Sequence, residues 1–261
     1  RSALLDGARW WAEAFEAAGW DGAFEVRMLP EDADPLDVRY NVIQWVHRST
    51  RGWSYGMSVR DPRTGEILKG HVSLGSLRVR QDLLIARALA AEGTIAEIDA
   101  ATLELALARL RQLAAHEVGH TLGLRHNYKA SSAIPYDRLH DEEYTRENGV
   151  SLSVMDYAPV NIALDADEQG HYWNKEPGAY DAWAIEYAYR PVMNDGALVT
   201  DPAAEQEALD AIARQAGDPE HTYGTDGDRA YGLDPLANAW ELGSDPIQFA
   251  TDRTELVRTV E

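Results

Sequence analysis

Residues 116–126 read His116-Glu117-Val118-Gly119-His120-Thr121-Leu122-Gly123-Leu124-Arg125-His126, and no other segment restricts the fold of the chain so narrowly. Two histidines four residues apart on a helix stand on one face, so His116 and His120 can hold one ion from the same side. Glu117 projects beside them; it is not needed as a ligand, and its carboxylate is placed to take a proton from a water on that ion. Gly123 lacks the Cβ that penalises a left-handed backbone, so it ends the helix and turns the chain, bringing His126 back as a third ligand. Three neutral nitrogens leave a fourth position for water, which separates a catalytic zinc from a structural one. A lone His-Glu-x-x-His also arises as a polar stripe on an amphipathic helix. Five specified residues coincide by chance at roughly one position in a million or fewer, which favours the metal reading.

A second element, Ser153-Val154-Met155-Asp156-Tyr157, follows about thirty residues after His126. With both elements the chain resembles the metzincin clan of zinc peptidases, whose long zinc motif is followed by a methionine-containing turn. The resemblance is nearest to the large bacterial zinc-dependent metalloproteases called Met-zincins. It is carried by Arg125-His126-Asn127-Tyr128-Lys129, by Ser153 to Ala163 (SVMDYAPVNIA), by Tyr180 to Tyr189 (YDAWAIEYAY) and by Arg39 to Trp53 (RYNVIQWVHRSTRGW).

The resemblance implies one α+β catalytic domain over residues 1–261. Its upper lobe, residues 1–123, is expected to hold a twisted mixed sheet, a backing helix and the active-site helix. A mainly helical and irregular lower lobe, residues 124–261, is expected to carry the third histidine and the methionine turn. The same resemblance implies one catalytic zinc on His116, His120 and His126, Glu117 as the base, Met155 as an apolar floor beneath the histidines, and a peptide or protein substrate. Astacins and serralysins have a tyrosine two residues after that methionine which reaches the metal or the developing oxyanion, and Tyr157 takes that catalytic role. Asn127 departs from the better-known branches: astacins have Glu there, serralysins Pro, adamalysins Asp and matrixins Ser. Specificity and latency are therefore not carried over from those branches.

Composition bounds the rest. A chain of 261 residues with 45% hydrophobic content buries a substantial core. It has no apolar run of about eighteen residues, the length a membrane-spanning helix needs. The absence of cysteine excludes disulfides, a thiol nucleophile and latency by a cysteine of this chain. A formal charge of −20 repels nucleic acid and anionic membranes, and reads as a solvated acidic surface before it reads as a preference for basic substrates. The chain opens at Arg1 directly in a helical pattern, so a targeting segment is expected upstream, and with it a secreted or periplasmic location, as the exported relatives imply.

Punctuation sketches the elements. Residues 3–18 predict a helix buried through Leu5, Ala8, Trp11, Ala12 and Phe15 and stopped by Gly19. Phe24 to Leu29, Val38 to Val46, Tyr55 to Arg60 and Glu66 to Leu74 predict strands, the last two joined by a turn over residues 61–65. The metzincin upper lobe has a further strand before its first helix, expected here from upstream sequence. Gly70 to Gly75 is read as a cleft-lining edge strand able to pair with a peptide, with an internal strand as the competing assignment. Residues 82–91 predict a helix, and Asp99 or Thr102 is expected to cap the long helix buried through Leu103, Leu107, Leu110 and Leu113. Further helices are expected over 136–147, over 178–189 packed through Trp183, Ile185 and Tyr187, from Thr200-Asp201-Pro202 to Gly217, and over 249–260.

Asp165, Asp167, Gly170 and Glu176 have the spacing of a calcium loop, but Gln169 and Pro177 fit it poorly, so calcium is weakly supported and an acidic surface loop preferred. His47, His71, His140, His171 and His221 lack a partner at ligand spacing. Trp53 and Trp173 are candidates to border a substrate pocket. The predicted activity is zinc-dependent peptide hydrolysis; the competing class is a noncatalytic peptide-binding or scaffold module, against which Glu117 argues, because zinc binding alone does not need that carboxylate.

Overall fold

The computed structural model describes residues 1–49, 52–89 and 95–260. The backbone forms two compact units: Arg1–Ala8, Val26–Arg125 and Thr254–Glu261 make the first, Arg9–Glu25 and His126–Arg253 the second. Helix α1 (Ser2–Ala17) contributes to both, burying Ala3 and Ala8 in its first half and Trp11, Ala14 and Phe15 in its second. Gly19 follows at φ +98° and stops it.

The sheet of the first unit contains β1 (Val42–Val46), β2 (Tyr55–Arg60) and β3 (Ile67–Gly75) in the order β1-β3-β2. β1 runs parallel to β3, with Val42 opposite His71, and β2 runs antiparallel to it, with Gly56 opposite Val72. The expected edge strand at Gly70–Gly75 is thereby corrected: β3 has a partner along each side, and among the described residues β1 and β2 are the edges of the sheet. The expected strand over residues 38–46 begins only at Val42. Residues 37–41 are held as turns instead, where Lys69 Nζ donates to the carbonyls of Asp37 (2.9 Å) and Tyr40 (2.6 Å) and Asn41 Oδ1 accepts from Gly70 N–H at 2.7 Å. Phe24 to Leu29 forms no strand; Phe24 instead stacks on Phe15 with ring centroids 5.4 Å apart.

Helices α2 (Leu77–Leu89) and α3 (Ile95–Thr121) follow the sheet in this unit, and the part of the 82–91 expectation beyond Leu89 lies outside the described residues. α3 already runs through Asp99 and Thr102, so neither is its cap. Its buried face follows Thr102, Ala106, Leu110 and Leu113, and Leu103, one residue and about 100° round from Thr102, is exposed. The sheet meets α3 at two glycines. A Cβ on Gly56 would lie 1.9 Å from the carbonyl oxygen of Glu117, and one on Gly70 2.9 Å from Thr121 Cβ. Backbone contact this close is open only to residues without a side chain.

The core of the second unit gathers Ala130, Ile134, Leu139, Val150, Leu152, Ala158 and Leu242. α4 (Glu142–Asn148) is capped by Asp141, whose side chain accepts from Tyr144 N–H, so the expected 136–147 helix is a short 3-10 turn at Tyr136–Arg138 followed by α4. α5 (Ala179–Tyr189) buries Ile185, while Tyr187 is exposed. A two-stranded hairpin, β4 (Met193–Asn194) and β5 (Ala197–Leu198), turns at Asp195-Gly196, both at positive φ, a signal not read from the sequence. α6 (Pro202–Ala213) starts at the Asp201 cap, and α7 (Asp226–Ala230) and α8 (Pro246–Val260) follow, α8 ending in the first unit. Among the described residues no helix is long and apolar enough to cross a membrane.

Candidate metal centre

His116 and His120 lie on the last turns of α3, one helical turn apart, with ring centroids 4.8 Å apart and ring planes nearly perpendicular. The helix then closes in two bonds: Gly123 N–H donates to the His120 carbonyl (3.1 Å) and Leu124 N–H to the Gly119 carbonyl (3.0 Å). This Schellman arrangement needs a left-handed residue at its pivot, and Gly123 sits at φ +96°. The turn carries the chain to His126, and one ring nitrogen from each of His116, His120 and His126 lies within 4.8 Å of the others. Among the described residues this is the one group of three or more His, Asp or Glu side chains gathered closely enough to hold a metal ion.

The tautomers are set from behind. His120 Nδ1 lies 2.9 Å from the Leu124 carbonyl, an acceptor only, so Nδ1 carries the proton and Nε2 the lone pair. His126 Nδ1 lies 3.0 Å from Asp226 Oδ1, which has the same effect. Three imidazoles converging at this spacing suit zinc, which accepts nitrogen ligands in a tetrahedron and leaves one position for a water or substrate oxygen.

Glu117, next to His116, is buried. Burial raises its carboxyl to about 7, against the lowering effect of a hydrogen bond from Gly56 N–H on β2 and of the Arg109 and Arg78 charges. A carboxyl poised there exchanges protons near neutral pH. Arg78 pairs with the buried Asp82 at 3.0 Å and Arg109 donates to Gln112, so both positive groups near Glu117 are themselves anchored.

Around His126 the second unit supplies a dense set of partners. Tyr157 places its ring edge-on to His126, centroids 4.5 Å apart, and Tyr128 Oη lies 3.0 Å from His126 Nδ1 and donates to Asp226 Oδ1 at 3.1 Å. Burial, reinforced by the Asp226 carboxylate, pushes the Tyr128 phenol above its ordinary value, so it remains an O–H donor. Met155 is fully buried, and its carbonyl accepts from Asn127 N–H at 3.1 Å, tying the methionine turn to the residue after the third histidine. That turn rests on two buried carboxylates. Asp181 accepts from Ser153 Oγ, Val154 N–H and Gly178 N–H; Asp156 accepts from Ser131 N–H and Ser151 Oγ.

His116, His120 and His126 are thus brought together, Glu117 stands beside His116 in the chain, and Tyr157 lies against His126. Asp226 and Trp240 were not singled out in the sequence, and Tyr128 was read there only as part of the segment that carries the family resemblance, without a role at the site. Asp226 and Trp240 lie about a hundred residues or more beyond the motif, and one aspartate among many in an acidic chain carries no spacing signal. Trp240 holds φ +72°, rare for a bulky residue, and packs its ring against Tyr157, tilted by 35° with centroids 5.7 Å apart. Trp53 is exposed and Trp173 buried. In the 165–176 loop the Asp165 side chain accepts from Asp167 N–H at 3.0 Å, and Gln169 donates to the carbonyls of Asn161 and Gly170. His171 Nε2 lies 3.2 Å from Lys175 Nζ, and His221 stacks on Trp183.

A family model described as Met-zincin matches residues 99–260, more than half of the chain. No curated protein and no solved structure matches it.

Proposed function

The chain belongs to the Met-zincin family, and from that premise we propose that it is a zinc-dependent endopeptidase that hydrolyses peptide bonds in peptide or protein substrates. The observation that carries the reading is the convergence of the three histidine nitrogens within 4.8 Å, immediately beside a buried glutamate that no ligand role requires. His116, His120 and His126 hold the zinc, which when bound acidifies a water and polarises the scissile carbonyl. Glu117 takes the proton of the attacking water and passes it to the departing amine, and its bond from Gly56 N–H fixes the carboxylate for both transfers. Tyr157 donates its hydroxyl to the oxyanion. The side of β2 away from β3, which carries no further strand among the described residues and whose Gly56 lies against the backbone of Glu117, is the edge to which an extended peptide adds as a further strand. With this reading goes an exported site of action, secreted or periplasmic, tested by fractionating cells that express the full-length protein.

Glu117→Ala tests the assignment directly. With zinc loading matched to the parent, hydrolysis of a diverse peptide library is expected to fall at least about a hundredfold while zinc content stays near one per chain. Equal rates for the two proteins would remove Glu117 as the base, and a parent that holds zinc but cleaves nothing would favour a noncatalytic peptide-binding module.

A further inference from the structure

The three histidines are not equally well held. His116 and His120 are fixed by the hydrogen-bonded turns of α3, but His126 stands on a loop beyond the Gly123 pivot, where helix geometry no longer dictates its direction. Besides the Asn127 N–H bond to the Met155 carbonyl, a segment about a hundred residues downstream holds it. Asn127 Nδ2 donates to the Thr222 carbonyl (2.9 Å), Gly224 N–H to Asn127 Oδ1 (3.1 Å) and Tyr128 N–H to the Gly224 carbonyl (2.7 Å). These three bonds lay residues 222–226 along residues 127–128 and deliver Asp226, the first residue of α7, to the back of the His126 ring. There Asp226 Oδ1 lies 3.0 Å from His126 Nδ1 and accepts the Tyr128 hydroxyl at 3.1 Å.

We infer that Asp226 is a positioning residue of the metal centre, acting through His126 and aided by Tyr128. Its carboxylate accepts the Nδ1–H proton of His126, which fixes the tautomer with the lone pair on Nε2, sets the angle of the ring and makes that nitrogen a stronger donor to a cation. The Tyr128 hydroxyl, donated to the same carboxylate oxygen, holds Asp226 at the angle the imidazole needs. Arg229, one turn along α7, lies 5.2 Å from the centre of the Tyr128 ring and keeps that ring in place. The inference rests on the zinc reading above and goes beyond it, since it makes residues far outside the zinc motif responsible for the strength with which the third ligand binds.

The test is zinc affinity, measured by competition with a chromogenic chelator for the parent, Asp226→Asn and Tyr128→Phe, alongside thermal unfolding of the three zinc-free proteins. Asp226→Asn keeps shape and removes the charge; it is expected to weaken zinc binding about 10- to 100-fold while the zinc-free protein unfolds at the parent's temperature. Tyr128→Phe leaves the Asp226–His126 bond in place and is expected to lose less. Zinc affinity in Asp226→Asn within about twofold of the parent, far below the effect of an outer carboxylate, would overturn the inference. So would a larger loss in Tyr128→Phe, or a zinc-free Asp226→Asn protein that is unfolded, since Asp226 would then serve the fold. A parent that binds no zinc at all would instead bring down the metal reading itself.

Discussion

Gly56→Ala is the most informative single perturbation, because it adds one methyl group to a position whose surroundings are backbone. The new Cβ would sit 1.9 Å from the Glu117 carbonyl oxygen and 2.9 Å from His120 Cβ, against ordinary contacts that begin at 3.4 Å. The oxygen belongs to the hydrogen-bonded ladder of α3 and cannot rotate away, so β2 and α3 must separate by about 1.5 Å locally. Overpacking of this kind costs about 1–3 kcal/mol, or a fall in Tm of about 2–12 °C for a chain of this size. The same separation removes the Gly56 N–H from the Glu117 carboxylate, and misplacing a catalytic group by about 1 Å costs on the order of a hundredfold in rate. The assay is calorimetry and peptide turnover on zinc-loaded protein, with Gly217→Ala as the control, where an added Cβ meets nothing within 4 Å. A Gly56→Ala protein with the parent's Tm and kcat would refute the close approach of β2 to α3, and with it the placement of the strand edge beside the base.

Removing the metal should leave a folded but inactive protein, and His120→Ala, which lacks one of three nitrogens, is expected to purify without stoichiometric zinc; metal analysis finding about one zinc per chain in that variant would contradict the ligand set. Tyr157→Phe keeps the ring packed on His126 and removes only the hydroxyl, so kcat should fall roughly tenfold to a thousandfold with KM and zinc content little changed; an unchanged kcat removes Tyr157 from the reaction. Burial raises the Asp156 carboxyl to about 7 against its bonds from Ser131 and Ser151, from an ordinary value of 3.8, so the folded chain holds a proton that the unfolded chain has released. Stability from this group is therefore full at pH below about 4 and is lost as pH rises to about 7. Unfolding of the parent and of Asp156→Asn at pH 5 and pH 8 should show the parent losing more stability across that interval, and parallel losses would argue against the raised carboxyl.

The sequence was most legible where a local pattern is enough. Histidines on one helical face, a glycine pivot and a third histidine are fixed by the geometry of eleven consecutive residues, and the Asp201-Pro202 start of α6 needs only its own cap. Legibility failed where tertiary partners decide. Val38 to Asn41 has strand-forming character, yet the Lys69 ammonium and Asn41 amide organise it as turns. Gly70–Gly75 reads alike as edge or centre, because edge status depends on the parallel arrival of β1, which no local pattern records. Asp226 was invisible for the same reason: its role exists only once residues 222–226 lie against Asn127 and Tyr128.

The division of labour around the histidines has a physical logic. Two ligands on a helix come with their spacing guaranteed, but a third from the same helix would not close a tetrahedron, so the chain must leave the helix and lose that guarantee. The lost order is restored by groups that are strong acceptors in dry surroundings. Asp181 gathers two backbone N–H groups and a serine hydroxyl beneath the methionine turn, and Asp156 gathers Ser131 and Ser151 behind it. Burying a carboxyl group is costly to its charged form, and burial raises Asp156 to about 7 and Asp181 to about 6; the donors that oppose the rise come from segments that must meet for the site to exist. The carboxylates thereby make the turn all-or-none. Without Asp181, the N–H groups of Val154 and Gly178 lose their acceptor, and the segment carrying Met155 and Tyr157 loses the support that fixes its path. The Asn127 N–H to Met155 carbonyl bond passes that fixed path on to the third histidine, so the ligand outside the helix inherits its order from the core of the second unit.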